Sequence, residues 1–158
     1  MASLTKMMTA LIAVETAPPR TPVLITRQAI AQSGSKGGVL PLGRHVRLES
    51  LLYGLMLPSG NDAAVAIAQH VAGSIKAFVS RMNAEAARLG MACTRYSSPS
   101  GYYDEKNYTC AADLALLAAR IPDARTRLFP GARHAYFEEC RTEAGDLVEA
   151  FLGAEARA

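Results

Sequence analysis

The sequence predicts an α+β fold in which helices dominate and strands are few. Apolar residues recur at helical spacing in several stretches, two short runs alternate as strands do, and clusters of Gly, Pro, Ser and Asn separate these pieces. Residues 3–15 carry Leu4, Met7, Met8, Leu11, Ile12 and Val14, a helix with a broad buried face that ends before Pro18-Pro19. Ser3 stands where an N-cap or first-turn residue belongs. "PVLITRQAI" then reads as a strand, "QSGSKGG" as a flexible turn, and "VLPLGRHVRL" as a short extended piece with its own turn.

"ESLLYGLML" is helical and stops at Pro58. "PSGNDAAVAIAQHVAG" is a tight turn running into an Ala-rich helix. Ser74 caps an amphipathic helix, "IKAFVSRMNAEAARLG", closed by Gly90. "TRYSSPSGYYDEKNY" is loop-like, and Thr109 is the expected N-cap of "AADLALLAAR", which Pro122 ends. Beyond it "RTRLF" reads as a short strand, "PGARHA" as a turn and "TEAGDLVEAFLG" as a last helix.

The chain of 158 residues is half hydrophobic and one-fifth charged, which suits one ordinary globular core. A net charge of +3 without a Lys/Arg block or basic stripe argues against nucleic-acid binding. The longest apolar runs are interrupted by Ser, Gly, Asp or Glu, so no membrane span is expected. Residues 1–15 lack a basic leader and a cleavage site, so no signal peptide is read here, and expression as written would leave the chain in the cytoplasm. Cys93, Cys110 and Cys140 match no zinc spacing. Cys93 and Cys110 enclose a turn-rich stretch and could pair in an oxidising compartment, or remain buried thiols.

Ser3 and Lys6 form an S-x-x-K motif, and on a helix positions three apart share a face. Burial can lower the lysine's pKa until part of it is neutral and able to act as a base. Ser3 would also lie near unpaired backbone N–H groups, which can stabilise an oxyanion. A second S-x-x-K, Ser33 to Lys36, falls in a Gly-rich turn with no helix to hold it and is read as chance. Ser59-Gly60-Asn61 sits in a turn between two apolar helices. Its hydroxyl could relay a proton and its amide could hold a carbonyl, although Ser, Asn and Asp before a helix commonly serve as caps. Asp62 at the helix start suits the dipole. His45 and His70 read as surface or packing residues, and Asp113 as a solvated or capping acid. Tyr102, Tyr103 and Tyr108 could line a peptide groove or cover their own loop.

S-x-x-K followed by S-x-N resembles the penicillin-binding enzymes. The stretches "ASLTKMMTALIAVE", "LLYGLMLPSGNDAAVAIAQHVAG", "FVSRMNAEAARLGM" and "TRYSSPSGYYDEKNYTCAADLALLA" resemble serine-type D-alanyl-D-alanine carboxypeptidases of the low-molecular-weight penicillin-binding kind, over about residues 2–120. The resemblance implies the helix-rich body of the β-lactamase/transpeptidase-like fold with an incomplete antiparallel sheet. It implies that Ser3 attacks the penultimate D-alanine carbonyl and that Lys6 takes its proton. Ser59 would then pass a proton to the leaving D-alanine, while Asn61 binds the peptide and positions Lys6. The implied ligands are a peptidoglycan pentapeptide or a β-lactam, the implied location is the cell envelope, and no metal or organic cofactor is implied.

The chain departs from that pattern in two ways. The family's third motif, Lys-Thr-Gly on a downstream strand, is absent, and so are the strands that precede S-x-x-K. The lysine of that motif binds the terminal carboxylate, so impaired activity is expected, together with exposed apolar surface and unpaired sheet edges. The boundaries drawn are 1–121 for the partial carboxypeptidase domain and 122–158 for a tail. The tail, about 121–153, resembles the last strand, histidine loop and final helix of an α/β-hydrolase, with His134 in the place of a triad base. No G-x-S-x-G nucleophile elbow accompanies it. The alternatives are a non-catalytic remnant that binds peptidoglycan or a partner, and a hydrolase-like fusion product. A β-lactamase would need an acidic deacylation residue that nothing in the sequence marks.

Overall fold

The computed structural model describes residues 2–102 and 104–120. The expectations for 122–158, including the tail's strand, His134 loop and final helix, and for Tyr103 lie outside the described residues.

A single 3-10 turn, Ala2–Leu4, leads into α1, Thr5–Thr16. There follow β1 (Pro22–Leu24), α2 (Arg27–Ile30), β2 (His45–Arg47), α3 (Leu48–Met56), α4 (Asn61–Ala72), α5 (Ile75–Arg88) and α6 (Ala111–Ala118). The strands form a two-stranded antiparallel sheet with Val23 opposite Val46. The α+β, helix-rich reading with a small antiparallel sheet therefore holds.

Helix α4 is the centre. It packs against α1, α2, α3, α5 and β1, and every residue from Asn61 to Ala68 is buried. Its alanines let neighbouring backbones approach closely. On one side Val23, Ile25, Ala29, Leu48, Leu51 and Leu55 pack on it. On the other, Met8, Leu11 and Ile12 of α1 meet Phe78, Met82 and Ala86 of α5, with Tyr96 and Leu117. α1 thus reaches the core through Met8, Leu11 and Ile12, a narrower face than the spacing predicts, since Leu4 and Val14 are exposed; that core fixes the helix whose first turn bears Lys6.

Three local readings need correction. "PVLITRQAI" is not one strand: β1 ends at Leu24 and a short helix begins after Thr26. Thr26 Oγ1 accepts from the Ala29 N–H at 3.1 Å and donates to Gln69 Oε1 at 2.6 Å, while Ala29 is fully buried. A cap plus packing on α4 outweighs the β preference of the run. Thr109 is not the cap of α6, because Cys110 holds that position and the Thr109 hydroxyl bonds to that of Thr94 at 2.7 Å. Nor does Ser3 cap α1. Leu4 precedes the helix with helical dihedrals, so the chain enters through a tight turn with no side-chain cap.

Ser74 does cap α5, accepting from the Ala77 N–H at 3.1 Å, and Gly90 follows that helix with φ +75°. Ser74→Ala is expected to lower stability by about 1 kcal/mol, read from the urea midpoint at unchanged slope. Tyr53, Met56 and Leu57 are exposed and line a groove with Pro19 and Leu52. No single helix among the described residues is long and apolar enough to cross a membrane.

Candidate active site

Three close backbone approaches build the site's floor. Gly37 lies against Gly54 and Gly60, and a methyl on Gly54 would meet the Gly37 carbonyl oxygen at 2.5 Å. The Gly60 N–H donates to Gly54 O at 2.9 Å and closes the turn between α3 and α4. Asp62, 2% exposed in the first turn of α4, accepts from the Gly37 N–H at 2.6 Å and the Ala63 N–H at 2.8 Å. The 33–37 turn and the S-x-N turn are therefore locked as one unit.

Ser59 holds φ +60°, the left-handed region that a serine occupies at a cost of about 1–2 kcal/mol. That backbone aims its hydroxyl at Ser3: Ser59 Oγ donates to Ser3 Oγ at 2.7 Å, across 56 positions of chain. Asn61 is pinned twice to the 33–37 turn, its N–H on Ser35 O at 2.8 Å and its Nδ2 on Ser33 O at 2.7 Å. Neither Ser59 nor Asn61 caps α4; Gly60 holds the N-cap position and makes no side-chain cap bond, and the Ala63 N–H of the first turn is met by Asp62 instead.

Lys6 is 3% exposed. Its Nζ donates to the Ser100 carbonyl at 2.9 Å, and one turn on, Thr9 Oγ1 donates to the Pro99 carbonyl at 2.7 Å. Burial holds the Lys6 ammonium below its ordinary pKa, because the charged form loses its water. Asn61 does not touch Lys6 through a hydrogen bond given by its amide nitrogen, which goes to Ser33 instead. Ser3, Lys6, Ser59 and Asn61 nevertheless line one open cavity of about 540 Å³, with Ser35, Ser100, Tyr102, Asp104, Glu105 and Asn107 around them.

The loop between α5 and α6, whose tyrosines the sequence offers for a groove, lines the cavity through Tyr102 and also through Ser100 and Asn107, which the sequence does not single out. It is tied down by buried or half-buried polar side chains. Asn83 accepts from the Tyr96 N–H at 2.9 Å and donates to Tyr96 O at 2.8 Å. Asn107 accepts from the Ser97 N–H at 2.8 Å. Asp113 is not a solvated acid: it is 5% exposed and accepts from the Cys93 N–H at 2.8 Å and Thr94 Oγ1 at 2.6 Å. Cys93 and Cys110 are joined by a disulfide at the loop's base. What the loop gives Lys6 is a main-chain carbonyl, which leaves no side-chain signature.

The other singled-out residues stand apart. Lys36 is exposed and donates to Ile30 O at 2.8 Å and to Gln32 O, so the second S-x-x-K only closes its own turn. His45 and His70 are exposed. Tyr102 lines the cavity, whereas Tyr108 pairs through its backbone with Arg95. Chemically, two hydrogen-bonded hydroxyls beside a buried amine suit acyl transfer to a serine: the amine can accept a proton and the second hydroxyl can pass one on.

A family model described as D-alanyl-D-alanine carboxypeptidase matches residues 1–144. The chain is 33% identical over 124 residues to the D-alanyl-D-alanine carboxypeptidase DacF of Bacillus subtilis (strain 168), covering 76% of this chain and 32% of that one. It therefore spans about a third of that relative's length. Among solved structures, the D-alanyl-D-alanine carboxypeptidase DacD from Francisella tularensis is similar with a TM-score of 0.71 and 38% identity, over 75% of this chain and 30% of that one. The D-alanyl-D-alanine carboxypeptidase from Mycobacterium tuberculosis H37Rv gives a TM-score of 0.70 at 31% identity, over 77% and 47%. With a family match across most of its length, and the helical body of those structures in place, the chain belongs to the D-alanyl-D-alanine carboxypeptidase family.

Proposed function

We propose that this chain carries the acyl-serine machinery of a D-Ala-D-Ala carboxypeptidase acting on peptidoglycan stem peptides in the cell envelope. Ser3 Oγ attacks the carbonyl of the penultimate D-alanine while neutral Lys6 accepts the hydroxyl proton. The tetrahedral intermediate collapses as Ser59 passes a proton to the departing D-alanine nitrogen, leaving an ester on Ser3. Water, activated by the same amine, hydrolyses that ester and restores the serine. Asn61 donates to the substrate's backbone. The observation that carries this reading is the 2.7 Å bond between the Ser59 and Ser3 hydroxyls in the cavity that buried Lys6 lines. The disulfide supports an oxidising compartment.

No Lys-Thr-Gly occurs in residues 1–158. This stretch by itself lacks the lysine that the family resemblance assigns to the terminal carboxylate, so turnover of peptide by this chain is expected to be slow. Acylation by a β-lactam is the more sensitive test. Incubation with a fluorescent penicillin is expected to add one ligand mass, mapped to the peptide that contains Ser3. A folded protein, by circular dichroism, that takes no adduct at any dose would sink the catalytic reading and leave a binding module without chemistry.

A further inference from the structure

The acyl chemistry makes no use of a second cluster, at the base of the 93–110 loop. The sulfurs of Cys93 and Cys110 and a carboxylate oxygen of Asp113 all lie within 4.8 Å of one another. The sulfurs are bonded in the structure, with Cα atoms 6.0 Å apart. Two-electron reduction would free both. A tetrahedral zinc ion with Zn–S bonds of about 2.3 Å holds two thiolates about 3.8 Å apart. Side-chain rotation from the same backbone positions can supply that separation.

Asp113 is set up as a ligand rather than a loose surface acid. Its Oδ2 is fixed by the Cys93 N–H at 2.8 Å and by Thr94 Oγ1 at 2.6 Å, and Thr94 is in turn bonded to Thr109 at 2.7 Å. Metal-ligating carboxylates are typically oriented by such outer bonds. Asp113 is buried and Cys93 is exposed, so an ion can approach from the Cys93 side. Two thiolates with one carboxylate suit a thiophilic cation and not calcium or magnesium, which take oxygen ligands.

We propose that the reduced Cys93–Cys110–Asp113 cluster is a binding site for a thiophilic divalent cation of the zinc class, with water as fourth ligand, and that oxidation to the disulfide expels the ion. With hydrogen peroxide as oxidant, two thiolates, one peroxide and two protons give the disulfide and two waters, and the metal leaves with its charge unchanged. Either cross-link closes the loop that brings the Ser100 carbonyl to Lys6. The site does not depend on the peptidase reading.

The test uses the full chain with Cys140→Ser, to remove the third thiol, reduced by a phosphine and titrated with cobalt(II) alone. A sulfur-to-cobalt charge-transfer band with the intense visible bands of tetrahedral cobalt is expected at one ion per chain, displaced by one equivalent of zinc. Asp113→Asn, which removes a direct ligand, is expected to weaken binding by at least the roughly 10-fold that loss of an outer, ligand-orienting group costs. Peroxide should release one zinc per chain to a chelating dye. A reduced protein that shows no thiolate band overturns the proposal, as does a band that survives in Cys93→Ser/Cys110→Ser or an affinity unmoved by Asp113→Asn. The spectrum of the intact cysteine pair decides the matter even where a variant fails to fold.

Discussion

Ser3→Ala is expected to abolish the β-lactam adduct, and Lys6→Met to slow its formation by about 10²- to 10⁴-fold, the range a general base contributes. Methionine keeps most of the lysine's buried volume, so the loss reports the amine. Lys6→Arg should not rescue, since a guanidinium stays charged. The pH dependence gives an independent sign. Burial lowers the Lys6 pKa below 10.5, so the neutral, basic form grows as pH rises. The acylation rate should climb with pH to a half-maximum that lies below 10.5, and Lys6→Met should lack that rise. Stability carries the same signature. Between the lowered folded pKa and 10.5 the unfolded chain binds more protons, so stability increases with pH across that window. Lys6→Met should flatten this part of the urea-midpoint profile. A rate that is flat with pH in the unmutated chain would remove Lys6 from the role of base.

Gly60→Ala is expected to be the most damaging single methyl in the described fold. The added carbon would meet the backbone nitrogen of Gly37, with Gly37 Cα at 2.5 Å and the Gly54 carbonyl oxygen at 2.7 Å. All three are main-chain atoms, so no flexible side chain can yield. Overpacking of this kind costs about 3 kcal/mol. Moving the turn also breaks the alignment of Ser59 with Ser3, so acylation should fall with stability. Urea unfolding and the penicillin rate measure the two effects, and a variant with both unchanged would show that the floor is softer than its distances imply. The residue here is glycine for want of space: its φ is −61°, which any residue can adopt.

The parts legible in the sequence are those written in side chains. The apolar spacing of residues 4–14 gave α1, and Ser74 and Gly90 marked the ends of α5. The polar motif around Ser59 lay between apolar helices, as expected. What escaped was written in backbone or decided by packing. The short helix after Thr26 exists because Ala29 is buried and Gln69 receives the Thr26 hydroxyl, a partner 43 positions away. Ser100 and Pro99 contribute carbonyls to Lys6 and Thr9, a role any residue type could fill. Asp113 looked like a helix-start acid because its partners, Cys93 and Thr94, precede it by 20 and 19 residues.

Ser59 stands in the one non-glycine left-handed conformation among the described residues, and it faces an exposed hydroxyl and not a core. Glycine there would relax the backbone and give up the hydroxymethyl group with its bond to Ser3. Backbone strain alone therefore favours glycine at this position. Position 59 thus holds a strained backbone whose cost the fold itself does not require, and what that cost secures is a hydroxyl set against Ser3.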